Sequence, residues 1–173
     1  INKVSGRKAM AELEKWVNAY NHMLERVKKY AVDKGSRLME GIDKAKEKAV
    51  ELEELTMHEA DEIGEFLRRD LHDAGTYLAD TGQEFKQWLR FDMQLIEDRY
   101  LDMFLAVADQ TKLELLKLEK KAQWDVDYLS GEVTGFGTLE CLNCQQRLHF
   151  HRTSTIPKCD KCQHTRFQRI RDS

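Results

Sequence analysis

Apolar residues recur along the first two thirds of the chain with the three-to-four spacing of amphipathic helices. Between positions 8 and 32, Leu13, Val17, Tyr20, Leu24, Val27 and Ala31 form one row. Trp16, Tyr20, Met23, Val27 and Tyr30 form a second row beside it. Two adjacent rows make a broad face, suited to packing on more than one neighbouring helix. Gly35 and Ser36 then offer a C′ glycine and an N-cap, so the chain either bends there into a helical hairpin or runs on as one long helix. A second helix is expected over about 36–55, with Leu38, Ile42, Ala45, Ala49 and Leu52 on one face and mixed-sign charges on the other.

Thr56-Met57-His58-Glu59 has the pattern of a capping box and predicts a third helix over about 57–80. Its apolar members are Ile63, Phe66, Leu67, Leu71, Ala74, Tyr77 and Leu78. Thr81-Gly82-Gln83-Glu84 repeats the pattern and predicts a fourth helix over about 82–108, carrying Phe85, Trp88, Leu89, Leu95, Ile96, Met103, Phe104 and Val107. Thr111-Lys112-Leu113-Glu114 opens a fifth over about 111–128, or marks a joint in the fourth. After Tyr128 the period changes. Arg147-Leu148-His149-Phe150-His151 and Arg166-Phe167-Gln168-Arg169-Ile170 alternate as strands do, with glycines loosening the approach to them. The expected architecture is mainly α: an antiparallel helical bundle over 1–130, then a small β domain over 131–173.

The chemistry lies in that second part. Cys141-Leu142-Asn143-Cys144 and Cys159-Asp160-Lys161-Cys162 hold the four cysteines of the chain, with a loop of 14 residues, 145–158, between the pairs. A two-residue gap lets one tight turn aim two sulfurs at a point about 2.3 Å away, and a hairpin brings two such turns together. Short strands framing two C-x-x-C turns make a four-cysteine zinc ribbon. Cys141, Cys144, Cys159 and Cys162 are therefore the expected ligands of one structural Zn2+, with iron a less favoured occupant of the same four-sulfur set.

Composition bounds the rest. Charged residues make up 34% of the 173, with a single proline, Pro157, which suits long solvated helices. The run Met103–Ala108 is far too short to span a bilayer, and the opening residues carry no apolar signal region. A cytoplasmic protein with no membrane contact is expected, in a compartment where paired cysteines hold metal more often than they form disulfides. The net charge of −3 divides into −6 over residues 1–130 and +3 over 131–173. Four thiolates and a divalent ion bring the second part to about +1.

Tyr128-Leu129-Ser130-Gly131-Glu132-Val133, Gly135-Phe136-Gly137 and Leu139-Glu140-Cys141 resemble the approach to the ribbon in the YbeL-like zinc-ribbon-containing proteins of proteobacteria. So do the cysteine spacing, Cys162, His164 and Phe167-Gln168-Arg169. In the helical part, Leu55-Thr56, Arg68-Arg69-Asp70-Leu71 and Asp109-Gln110-Thr111-Lys112-Leu113-Glu114 are similar too. The resemblance covers most of the chain. It implies the same four cysteines as metal ligands and no activity, since the family's function is unassigned. One departure concerns the residue after each cysteine pair, often glycine in zinc ribbons and here Gln145 and Gln163.

A helical bundle followed by four cysteines also suits di-iron electron-transfer proteins, which need Glu-x-x-His motifs on two helices. The residues three before the six histidines are Ala19, Leu55, Arg69, Gln146, Leu148 and Lys161, none of them glutamate. Four cysteine ligands leave no open position for catalytic water, and no nucleophile elbow, P-loop or H-E-x-x-H pattern occurs. No catalytic residue and no small-molecule substrate are expected. His149, His151 and His164 are expected near the metal, offering hydrogen bonds to its surroundings. Two functions remain. One is a protein-interaction, regulatory or assembly module that binds a protein partner or itself. The alternative is nucleic-acid or ribonucleoprotein binding through the ribbon, where Arg147, Arg152, Lys158, Lys161, Arg166 and Arg169 interleave with Phe150 and Phe167.

Overall fold

The computed structural model describes residues 2–82, 84–89, 98–116 and 127–170. Helix α1 spans Asn2–Val27 and widens into a π-helical turn over Lys28–Asp33. The chain then bends at Gly35, whose φ is +73°, and returns as α2, Leu38–Glu51. This is the hairpin, not one long helix. Its N-cap is Arg37, one residue later than expected, and offers no side-chain cap. Instead the Leu38 N–H donates to Glu114 Oε1 at 2.8 Å, across the bundle.

Helix α3, Met57–Thr81, begins with the capping box the sequence specifies: Thr56 Oγ1 accepts from the Glu59 N–H, and Glu59 Oε2 accepts from the Thr56 N–H. The next two S/T-x-x-E patterns do not start helices. Thr81 is the last residue of α3, with its hydroxyl donating to the Tyr77 carbonyl at 2.7 Å, and Gly82 follows in the left-handed conformation at φ +64°. A short α4 covers Phe85–Leu89, and α5 runs unbroken from Arg99 to Leu116. The expected joint at 108–111 is absent, because Thr111 lies mid-helix and donates to the Val107 carbonyl at 2.8 Å. The start of α5 is instead marked by Asp98, whose Oδ1 accepts from the Tyr100 N–H. Leu95, Ile96 and the stretch 117–126 lie outside the described residues. Tyr128, expected to end a helix, belongs to a strand. No described helix is long and apolar enough to cross a membrane.

Helix α3 is the axis of the helical part and touches α1, α2, α4 and α5. Its Ile63, Leu67 and Leu71 are fully buried, each worth about 1.5–3 kcal/mol against the exposed state. Tyr20, Met23, Leu24 and Val27 of α1 meet them, with Ile42 and Ala45 of α2 and Phe104 and Val107 of α5. Leu13 and Leu52, expected inward, are exposed; Leu52 lies past the end of α2.

The C-terminal part is an antiparallel sheet in the order β1-β6-β3-β4, formed by Tyr128–Leu129, Arg166–Arg169, Gly137–Cys141 and Arg147–Phe150. A second sheet pairs β2, Val133–Thr134, with β5, Ser154–Thr155. Tyr128, Leu139, Phe150, Ile156 and Phe167 enclose a separate small core that includes Cys141 and Cys159. Val133 and Phe136 turn the other way and join the helical core, so the two parts share an apolar boundary.

Candidate metal centre

Cys141 ends β3, and the chain turns at once through Leu142 and Asn143 to Cys144. The second pair sits on the matching turn before β6. In each knuckle the backbone repeats the same hydrogen bonds. The Cys141 N–H donates to the Gln146 carbonyl at 2.9 Å and the Gln145 N–H to the Cys141 carbonyl at 3.0 Å. Likewise the Cys159 N–H donates to His164 at 2.9 Å and the Gln163 N–H to Cys159 at 2.8 Å. Closing these loops requires a left-handed residue after each pair, and Gln145 and Gln163 supply it at φ +61° and +59°. Glutamine thus takes the knuckle conformation that glycine usually occupies.

The four Sγ atoms lie within 4.8 Å of one another. The closest contacts cross between knuckles, Cys141 to Cys162 at 3.6 Å and Cys144 to Cys159 at 3.5 Å. A tetrahedron with bonds of about 2.3 Å has edges of about 3.8 Å, so the thiols already stand near the vertices of a four-sulfur metal site. Hydrogen bonds from the Asn143 side chain and the His164 backbone lower the Cys162 thiol to about 6. The Gln146 backbone draws Cys144 the same way, but burial and the neighbouring thiols push it up to about 12. A bound cation takes all four sulfurs as thiolates.

His164 acts through its backbone. Thr138 Oγ1 donates its single proton to the Leu89 carbonyl at 2.7 Å, so His149 Nδ1, 2.8 Å away, donates to Thr138. Among the described residues, the four cysteines are the one cluster placed to share an ion.

The proposed nucleic-acid surface comes apart in three dimensions. Phe150 and Phe167 are ribbon core, and Arg169 is 4% exposed, so none can stack on a base or reach a phosphate. The strand alternation that buries Phe167 buries Arg169 with it. Arg166 Nε holds Asp127 at 3.0 Å and Arg147 Nε lies 3.5 Å from Glu140. Arg152, Lys158 and Lys161 remain on the surface.

Two C-x-x-C knuckles on a short antiparallel sheet, with four sulfurs aimed at one point, define a ribbon-type metal-binding domain. The chain belongs to the zinc-ribbon containing domain family, whose model matches residues 25–171. It is similar to the uncharacterized protein YbeL of Escherichia coli strain K12, at 29% identity over 128 residues covering 74% of this chain and 79% of the relative. The same protein of Escherichia coli O157:H7 matches equally. No solved structure matches the chain.

A second group of residues was not foreseen. Where the ribbon meets α3, Asp70 is completely buried and accepts from Tyr20 Oη at 2.6 Å, the Gly135 N–H at 2.8 Å, Arg69 Nε at 3.2 Å and Arg169 Nη2 at 3.4 Å. Arg69 reaches across to Glu132 and to the Val133 carbonyl at 3.0 Å. The Tyr128 ring lies between the two guanidiniums, 4.0 Å from that of Arg69 and 4.6 Å from that of Arg169, while its hydroxyl donates to Asp73. Two arginines thus face two buried aspartates and the half-buried Glu132, so each buried charge has an opposite partner in a place where a lone charge would be very costly. A sequence signal exists: Asp70 and Asp73 fall on the same helical stripe as Leu67, Leu71 and Ala74.

Proposed function

We propose that the protein is a non-enzymatic zinc-ribbon module of the cytoplasm, with one structural Zn2+ on Cys141, Cys144, Cys159 and Cys162. On this reading the ribbon and helices together present a surface for a protein partner or a second copy of the chain. The observation that carries it is the closed four-sulfur geometry: sulfurs near all the vertices of one tetrahedron leave no vertex for a reacting water. The surface is supported by α1. Met10 and Leu13 are 64% and 44% exposed, and with Val17, Arg152 and Thr155 they line a cleft between α1 and the ribbon.

Elemental analysis of the purified chain should find one zinc per protein, and serine at both Cys141 and Cys144 should abolish it. Zinc retained by that double variant would overturn the ligand assignment. Affinity capture with the full chain should recover a stoichiometric partner or a second copy, lost in the Met10→Asp, Leu13→Asp variant. A monomer with no partner would remove the interaction reading.

The nucleic-acid alternative keeps the exposed cations Arg147, Arg152, Lys158, Lys161 and Arg166, without aromatic support. Binding through several phosphates would weaken steeply with salt. A flat salt dependence would dismiss it.

A further inference from the structure

The strands that hold the sulfurs also hold the ribbon's half of the buried seam. Strand β3 ends in Cys141, which is in register with Phe167 of β6, and two residues further along β6 Arg169 is in register with Leu139. On the second sheet, Glu132, Val133, Thr134 and Gly135 supply the remaining contacts to Arg69 and Asp70. The strands are two to five residues long and their private core is small, too little to stay folded without the metal. The fit across the boundary is close. A Cβ on Gly135 would meet Tyr20 Oη at 2.8 Å and Phe104 Cε2 at 3.0 Å, both on the helical side.

We propose that the four-cysteine site and the Asp70 seam are thermodynamically coupled, so that metal occupancy clamps the ribbon onto the helices and metal loss releases the α3 face beneath it. The inference rests on the zinc reading above. When the ribbon unravels, Arg169, Thr134 and the Gly135 N–H leave Asp70, and its carboxylate must replace those partners with water. That side of α3 then opens to water while the contacts of α1, α2 and α5 elsewhere hold the helices together. Coupling is reciprocal: whatever loosens the seam weakens metal binding, although no sulfur has been touched.

The test uses the full chain and zinc in competition with a chromogenic chelator. Gly135→Ala wedges the seam sterically, Glu132→Gln removes a charge from its rim, and Thr165→Ala serves as an exposed control on the ribbon. Both seam variants should bind one zinc about tenfold or more weakly, with the control unchanged. In parallel, metal removal from the wild type should speed hydrogen exchange of the α3 amides around Asp70 while most of the helical circular dichroism remains. Zinc affinity within about twofold of wild type in both seam variants, or unchanged α3 protection in the metal-free chain, overturns the coupling and leaves the zinc assignment standing. A wild-type chain that takes up no zinc overturns both.

Discussion

Gln145 and Gln163 show what a knuckle asks of a single residue. A side chain in the left-handed region costs about 1–2 kcal/mol, whereas glycine forfeits about 0.5–1 kcal/mol of chain entropy on folding. Gln145→Gly should therefore stabilise the ribbon by roughly 0.5 kcal/mol, read as a small rise in denaturation midpoint with zinc bound. Gln163 differs, because its Nε2 donates to the Cys159 carbonyl at 3.1 Å and repays part of its strain. The same replacement there should be close to neutral. Destabilisation of both variants by more than about 1 kcal/mol would mean that the glutamine side chains matter more than the backbone. The four cysteines were legible because ligand chemistry acts over two-residue gaps. Arg169 was legible in position and missed in meaning. Its alternation with Phe167 puts both on one face, expected as the outer one; a buried guanidinium is credible only beside partners, and those come from positions 70, 73 and 128.

Helix boundaries divide on a similar line. Three S/T-x-x-E patterns looked equivalent, yet only Thr56 caps a helix. Before it, Leu52 closes α2 and Glu53 turns left-handed at φ +55°, so the chain arrives from outside a helix. At Thr81 and Thr111 the preceding turn is helical, and the hydroxyl bonds back to the carbonyl four residues earlier instead. Thr56→Ala should cost about 1 kcal/mol in denaturant unfolding, whereas a loss under about 0.3 kcal/mol would show that packing alone starts α3. The start of α2 could not be read locally, since its cap is the carboxylate of Glu114, 76 residues away.

For the whole molecule, the seam decides how the two parts depend on each other. Burial raises the Tyr128 phenol well above its usual value near 10; burial and then Asp70 do the same for Tyr20. In the unfolded chain both phenols ionise near about 10, while the folded state keeps their protons. Above that point the folded state binds more protons, so stability is intact below about pH 10 and falls as pH rises toward the folded-state values. An alkaline titration followed by phenolate absorbance should show Tyr20 and Tyr128 ionising only as helical circular dichroism is lost. Ordinary titration of every phenol with the helices unaltered would contradict this. Gross architecture was readable because hydrophobic period and cysteine spacing are local properties. How the ribbon sits on the bundle was not, because it depends on ion pairs between distant segments.

Asp70 and Arg169 are 99 residues apart in the chain, which gives the seam a history as well as a geometry. At about 5–20 residues per second, a ribosome takes about 5–20 s to make the stretch between them. The helices that surround Asp70 are all made before the strand that brings Arg169 to it. Throughout that interval the nascent chain carries a carboxylate and a tyrosine prepared for a strand not yet synthesised. A chain cut short before Arg169 keeps Arg69 beside Asp70 but lacks the second guanidinium and the strand that carries it, so the seam closes only when the last strand is in place.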